Sequence, residues 1–211
     1  MTEASFTSVF SEALRGRACV VRAVGGPASD LPVSSWRSAA DADDHALLDH
    51  CVGPTLDVGC GPGRLAAALA ERGQVVLGID VVREAVGQTR ARGAAALRRD
   101  VFGAVPGEGR WQTALLADGN VGIGGNPAAL LQRLRRLLLP GGRVVVEVAP
   151  PGVPTRSVLA TLECDGVRSR PFRWSVVGVD GIARVAASAG LTLRAHEPHG
   201  MRWSAVLEDG A

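Results

Sequence analysis

From residue 55 onward, short apolar runs alternate with stretches in which apolar residues recur every three or four positions. TLDV (55–58) reads as a short strand, and the glycine turn GCGPG follows it. RLAAALAER then carries a helical period and ends at Gly73, where a left-handed cap is usual. QVVLGID (74–80) predicts a second strand, and VVREAVGQTRARG a helix closed by Gly93. AALRRD (95–100) and TALLAD (113–118) predict further strands, and RVVVEVA (143–149) is the most strand-like run of all. Strands separated by helices of this length make βαβ units, hence an α/β fold whose parallel sheet is covered by helices on both faces.

The stretch ADGNVGIGGNP (117–127) sits where a strand should pass into a helix. Its tail is helix punctuation, with Asn126 as N-cap and Pro127 at the first helical position. In the helix that follows, Leu130, Leu131, Leu134, Leu137 and Leu138 form one apolar face, with Arg133, Arg135 and Arg136 on the solvated side. The head, ADGNVGIG, is not explained by capping.

Beyond residue 150 the order changes. Two strands around Asp165-Gly166 predict a hairpin over about 155–175. Asp180 is placed to cap GIARVAASAG, and LTLRAHE and MRWSAVLED read as two strands joined at Pro198-His199-Gly200. Near the start, ACVVRAV reads as a strand and DADDHALLDHC as a helix. This divides the chain into an N-terminal cap over residues 1–50 and a main domain over 51–211 that carries the hairpin.

Composition narrows the chemistry. The 211 residues are 46% hydrophobic, enough for one sizeable core. No apolar run approaches the ~18–20 residues of a membrane span, and the N-terminus lacks a signal-peptide pattern. Cys19, Cys51, Cys60 and Cys164 form no CxxC pair and have no matching histidine spacing. The expectation is therefore no metal site, no disulfide and a cytoplasmic location. All 23 basic residues are arginine, and tyrosine is absent. Schiff-base lysine chemistry, a phosphate-binding lysine and a tyrosine proton donor are excluded. A net charge of +2 gives no reason to expect nucleic acid as a partner.

The segment LDVGCGPGRLAAALA (56–70) carries the cofactor chemistry. Asp57, Gly59, Gly61 and Gly63 make a DxGxGxG turn between a strand and a helix, so a ligand can approach the backbone and the helix N-terminus. Its last two glycines are one residue closer than in the dinucleotide-binding fingerprint. Asp80 ends the second strand and Asp100 the third, followed by Val81 and Val101.

These positions resemble the class I S-adenosylmethionine-dependent methyltransferases, over residues 54–149 and, less closely, to 207. The resemblance implies a doubly wound, seven-stranded, mostly parallel Rossmann-like sheet with the last strand antiparallel. It implies S-adenosyl-L-methionine as cofactor, lined by Gly59, Cys60, Gly61 and Gly63. Asp57 would support the loop or the cofactor's amino group. Asp80 with Val81 would hold ribose, and Asp100 with Val101 would hold adenine. DGNVGIGG is also similar to a stretch in small actinobacterial-type methyltransferases of unassigned substrate. The Asn/Asp-Pro-Pro-Tyr/Phe motif of amino-base and glutamine N-methyltransferases is missing.

On the acceptor side, Asp118 is assigned to the cofactor site and Asn120 to catalysis, although a local backbone bond fits Asn120 equally well. His199 is the preferred general base because imidazole titrates in the useful range, and an exposed turn histidine is the alternative. His196, Glu197 and His45 are placed near the ligand side, with Trp36, Trp174 and Trp203 as apolar walls. The expected activity is methyl transfer to a small-molecule acceptor, with no membrane partner. A non-catalytic S-adenosylmethionine-binding protein and a methyltransferase acting on a macromolecule remain the alternatives.

Overall fold

Two sheets organise residues 2–209, the part of the chain that the computed structural model describes. The N-terminal region forms β1 (Thr2–Ala4), α1 (Phe6–Leu14), β2 (Cys19–Ala23), β3 (Ala28–Asp30), α2 (Val33–Arg37) and α3 (Ala42–Leu48). The alternating region follows with β4 (Thr55–Val58), α4 (Arg64–Glu71), β5 (Val76–Asp80), α5 (Arg83–Ala91), β6 (Ala96–Arg98) and β7 (Trp111–Leu116). A 3-10 segment at Asn120–Gly125 leads to α6 (Pro127–Leu137) and β8 (Leu138–Val148). Then come β9 (Arg156–Cys164), β10 (Val167–Ser169), β11 (Phe172–Val176), α7 (Val179–Ser188), β12 (Leu191–His199) and β13 (Arg202–Asp209).

The larger sheet has seven strands in the order β12-β13-β8-β7-β4-β5-β6. The pairs β7–β8, β4–β7, β4–β5 and β5–β6 are parallel, and β13 runs antiparallel to both its neighbours. This is the expected seven-stranded sheet with its last strand reversed. The chain crosses over at β4, so β4 and β7 are neighbours whose carboxyl ends diverge into different connections, the place where such sheets bind ligands.

The leucine face of α6 is why this half of the sheet is stable. Leu130, Leu131, Leu134 and Leu137 are fully buried against Val144 and Val146 of β8. Each such side chain contributes about 1.5–3 kcal/mol. Asn126 does cap the helix, accepting the Ala129 N–H at 3.1 Å. Two local readings need correction. Arg133 is buried rather than solvated: its guanidinium donates to the Val101 and Gly103 carbonyls and to Glu108. Asp180 does not cap α7, whose N-cap is Gly178; it lies in the first turn and accepts the Gly152 N–H.

The predicted 155–175 hairpin is present, and it joins the N-terminal strands in a second sheet of order β1-β10-β9-β2-β3, with β11 also pairing to β9. Buried Val9, Leu14, Cys19, Leu162 and Cys164 pack this layer against Val82 and Ala85 of α5. Residues 145 apart thus become neighbours, and here the cysteine expectation fails. Cys19 and Cys164 are register partners across β2 and β9 and form a disulfide. Linear spacing carries no sign of a pairing created by a sheet. Cys51 and Cys60 are free and buried. No helix among the described residues is long and apolar enough to cross a membrane.

Candidate functional site

The turn after β4 is held open by its glycines. Gly59, Gly61 and Gly63 all have φ between +53° and +86°. A Cβ on Gly59 would lie 2.7 Å from Asn120 Nδ2, and one on Gly63 would lie 2.6 Å from the Thr89 backbone. These two glycines let a loop and a helix come close. At Gly61, by contrast, a Cβ would meet only the Gly59 carbonyl oxygen at 4.0 Å, so the middle of the turn faces open space.

Three carboxylates belong to the neighbouring strands and their ends: Asp57 in β4, Asp80 at the end of β5 and Asp100 beyond β6. Asp57 is buried, and its Oδ2 has no hydrogen-bond partner among the described residues. Burial pushes the Asp57 carboxyl up to about 7, and the charges of Asp118 and Asp80 add to the effect. Asp80, at the end of β5, accepts the Val82 N–H at 2.8 Å and the Gly61 N–H at 3.1 Å. Burial lifts its carboxyl above the ordinary range despite those donors. Asp100 is exposed beyond β6 and accepts the Phe102 N–H, while the Val101 carbonyl is taken by Arg133. Cys60 is buried beneath the turn, against Thr89, and burial raises its thiol. Val81 and Phe102, which directly follow the Asp80 strand end and Asp100–Val101, are exposed apolar side chains.

The head of the 117–127 stretch closes the site from the β7 side. Asp118 adopts φ +52°, a left-handed conformation unusual for a residue with a side chain. It is held there from both ends: its N–H donates to Glu147 at 2.8 Å, and both its oxygens accept from Arg64 Nη2 at 2.9 and 2.7 Å. Asn120 turns toward the glycine loop, where Nδ2 donates to the Gly59 and Val58 carbonyls at 2.9 and 3.1 Å. Its neighbours Gly119 and Val121 line a cavity of about 220 Å³. The loop therefore stands between the glycine turn and the cavity.

Trp174, Val148, Val176 and Val177 form the apolar wall of that cavity, with Glu147, Arg202 and exposed Met201 at its edge. Trp36 packs with Phe10 in the N-terminal layer, and Trp203 stacks on His196. Neither lines the cavity. His45 is exposed and contacts Arg72. His199 is half-buried, bonds Ser204 at 2.7 Å, and is not among the cavity-lining residues. The structure thus brings Asp57, Asp80, the glycines, Asp118 and Asn120 together and leaves His199 in a separate group with His50 and Glu197.

Sequence reasoning missed an ion network behind the site. Arg64 bridges Asp44 and Asp118, and Arg202 bridges Asp44 and Glu147. Burial alone would lift the Asp44 carboxyl, but hydrogen bonds from Arg64 and Arg202 hold it below the usual range. One signal was available: Arg64 opens α4, where the helix dipole disfavours a cation, so an anion had to be near. Two arginines against Asp44, Asp118 and Glu147 leave the network net negative, and Asp57 and Asp80 add to that. The site is electrostatically suited to a cation.

The family described as "Methyltransferase domain" matches residues 55–142. The uncharacterized proteins Rv2003c of Mycobacterium tuberculosis and Mb2026c of Mycobacterium bovis are each 33% identical over 114 residues, covering 54% of this chain and 38% of theirs. The chain thus matches well under half the length of these curated relatives. Among solved structures, a SAM-dependent methyltransferase from Bacteroides fragilis in complex with S-adenosyl-L-homocysteine is similar over 95% of this chain and 92% of that one, at 20% identity and TM-score 0.77. The CcbJ methyltransferase from Streptomyces caelestis is similar over 83% and 92%, at 17% identity and TM-score 0.63. The 1,6-didemethyltoxoflavin-N1-methyltransferase from Burkholderia thailandensis is similar over 84% and 79%, at 19% identity and TM-score 0.60. At these identities the likeness establishes the architecture alone: the seven-stranded sheet and its helices share the Rossmann-like α/β fold of these solved structures.

Proposed function

We propose that this protein is an S-adenosylmethionine-dependent methyltransferase acting on a small-molecule acceptor. The observation that carries the reading is the buried, unpartnered Asp57 oxygen beneath an open glycine turn. A buried carboxylate oxygen without a donor is costly, and a ligand ammonium would relieve it. The residues fit the cofactor in other respects too. Asp80 ends β5 where a sugar diol would lie, Asp100 and Val101 follow β6 at the adenine end, and the net negative surroundings suit a sulfonium. Gly59, Cys60, Gly61 and Gly63 would line the amino-acid portion, with Val81 beside the ribose and Asp118 near the methyl group. The methyltransferases from Bacteroides fragilis and Burkholderia thailandensis were both solved with S-adenosylhomocysteine, and the second also with its small acceptor bound, which supports the same reading for this chain.

When bound, the cofactor supplies an electrophilic methyl group. The chain's own part is alignment: holding donor and acceptor in line supplies much of the acceleration. The cavity's carboxylate, Glu147, already accepts from Arg202 and from the Asp118 N–H. An acceptor in this cavity therefore brings its own nucleophile, such as a neutral amine or a readily ionised oxygen or sulfur. Asn120, with both amide hydrogens on the glycine loop, positions the cofactor rather than taking a proton.

Calorimetric titration with S-adenosylmethionine and S-adenosylhomocysteine tests the cofactor reading. Binding of either in the micromolar range, lost in Asp80→Ala, is expected. No binding of either compound would overturn it. Trp174→Ala is expected to impair turnover of an identified acceptor while leaving cofactor affinity unchanged; unchanged turnover would overturn the assignment of the cavity.

A further inference from the structure

On the face of the large sheet covered by α3, three side chains converge that the methyl-transfer reading does not use. His50 lies between α3 and β4, while Glu197 and His199 come from the end of edge strand β12. Alternate residues of a strand share a face, so the i, i+2 spacing presents Glu197 and His199 on the same side. Their pairing to Ser204 and Arg202 puts them on the side of β13 that also carries these two residues. One potential ligand atom from each of the three residues lies within 4.8 Å of the other two.

We propose that His50, Glu197 and His199 bind a divalent transition-metal ion, with zinc the best fit to their chemistry. Two imidazoles and a carboxylate are a nitrogen/oxygen set that zinc takes readily, with bonds of about 2.0–2.2 Å. A tetrahedral ion of that size holds its ligand atoms roughly 3.3 Å apart, so the widest pair must close by about 1.5 Å at most while His50 and Glu197 separate to admit the ion. The ion replaces the direct contact between His50 Nε2 and Glu197 Oε1.

Three surrounding features favour a cation here. His199 Nε2 lies 2.7 Å from Ser204 Oγ, a buried hydroxyl that fixes the ring as the outer partners of metal-binding imidazoles do. The nearby cations are already paired, Arg202 with Glu147 and Asp44, and Arg143 with Glu208. Asp43 lies against the turn that follows His199, its carboxylate 2.4 Å from where a Cβ on Gly200 would stand, and adds negative charge. Glu197 is exposed, so the site opens to solvent and keeps positions for water. The ion would clip the α3–β4 connection to the β12–β13 turn, the same turn that carries Met201 and Arg202 to the cavity.

The test uses the full chain, free of any affinity tag and with the Cys19–Cys164 disulfide intact. Titration with zinc chloride is followed by calorimetry, and titration with cobalt chloride by visible absorption. One ion per chain with micromolar or tighter affinity is expected, together with a higher unfolding temperature in zinc. His50→Ala, His199→Ala and Glu197→Gln are each expected to weaken binding by about tenfold or more. Glu197 is exposed, so Glu197→Gln reports on the site even where a histidine variant folds poorly. Zinc affinity weaker than about 1 mM, or binding unchanged by Glu197→Gln, would overturn the proposal. Ions held by cysteine would survive all three substitutions and count against it too.

Discussion

Arg64 and Asp118 lock together across the mouth of the glycine turn, the carboxylate accepting two hydrogen bonds from one guanidinium nitrogen. The same guanidinium also pairs with Asp44, so α3, α4 and the β7 loop share one cation. Arg64 and Asp44 are fully buried, whereas the Asp118 side chain is 30% exposed, so the Asp44 arm carries most of the energy. Removing Arg64 takes one of two cationic partners from Asp44 and leaves it Arg202 and the Asp41 N–H. Arg64→Ala is expected to cost about 1–3 kcal/mol in urea unfolding, because a buried carboxylate loses part of its compensation. Arg64→Lys is expected to recover only part, since an ammonium cannot span both carboxylates. An unfolding midpoint equal to wild type would show that the network is dispensable.

Asn120 gives the glycine loop two hydrogen bonds. If positioning is its role, Asn120→Ala weakens S-adenosylmethionine binding roughly tenfold, in line with two bonds of about 0.5–1.5 kcal/mol each. Asn120→Asp is worse than alanine, because it points a carboxylate at two carbonyl oxygens. Cofactor affinity unchanged in both variants, with turnover lost, would instead make Asn120 a residue of the acceptor side.

What the sequence makes legible is whatever is local. The DxGxGxG turn, the strand end at Asp80, the Asn126 cap and the alternation of strand and helix all lie within short windows, where backbone geometry dictates residue type; the third strand stops at Arg98, two residues short of Asp100. The exceptions are long-range. Arg133 carries a surface-like charge at a position that tertiary structure buries, satisfied by Glu108 and by carbonyls some 30 residues upstream. The Cys19–Cys164 bond and the second sheet depend on β2 pairing with β9, which no spacing rule encodes. His50 and His199 meet for the same reason. Arg64 lies between these cases, since a cation opening a helix was visible but its two partners were not.

The Asp57 carboxyl, pushed up to about 7, makes two opposite pH dependences. Its folded value is raised above the unfolded one, so the native state binds more protons between about pH 4 and 7. The stability it contributes is fully present below the unfolded pKa and is lost as pH rises through about 7. Cofactor binding runs the other way, because an ammonium favours the ionised form. Affinity is expected to rise several-fold from about pH 5.5 through 7 and to level off about one unit above that. Asp57→Asn should flatten both profiles and weaken binding. Calorimetry across that range, paired with urea unfolding at each pH, checks the two signs together.

The disulfide closes a loop of 145 residues between strands of the second sheet. Cys19→Ser with Cys164→Ser is expected to lower stability by about 2–4 kcal/mol without abolishing cofactor binding, because the bond joins β2 and β9 of the second sheet rather than the strands that carry the glycine turn. Equal unfolding midpoints for the oxidised protein and the double variant would show that the sheet needs no cross-link.

Gly122 tests whether the second sheet shapes the acceptor cavity. A Cβ there would lie 2.2 Å from the Ser175 carbonyl oxygen and 2.5 Å from Trp174 Nε1, so it would meet both the β11 backbone and the cavity's indole. The backbone cannot yield cheaply, so Gly122→Ala must push β11 and the 3-10 segment apart. A stability loss of about 1–3 kcal/mol is expected, the usual cost of overpacking. Because Asn120 reaches the glycine loop on the opposite side of the same segment, cofactor affinity should fall much less than acceptor turnover. Acceptor KM raised with cofactor affinity nearly unchanged would tie β11 to the acceptor. Equal losses in both would mean that the 118–125 loop moves as one body, and that the cavity and the glycine turn cannot be altered separately.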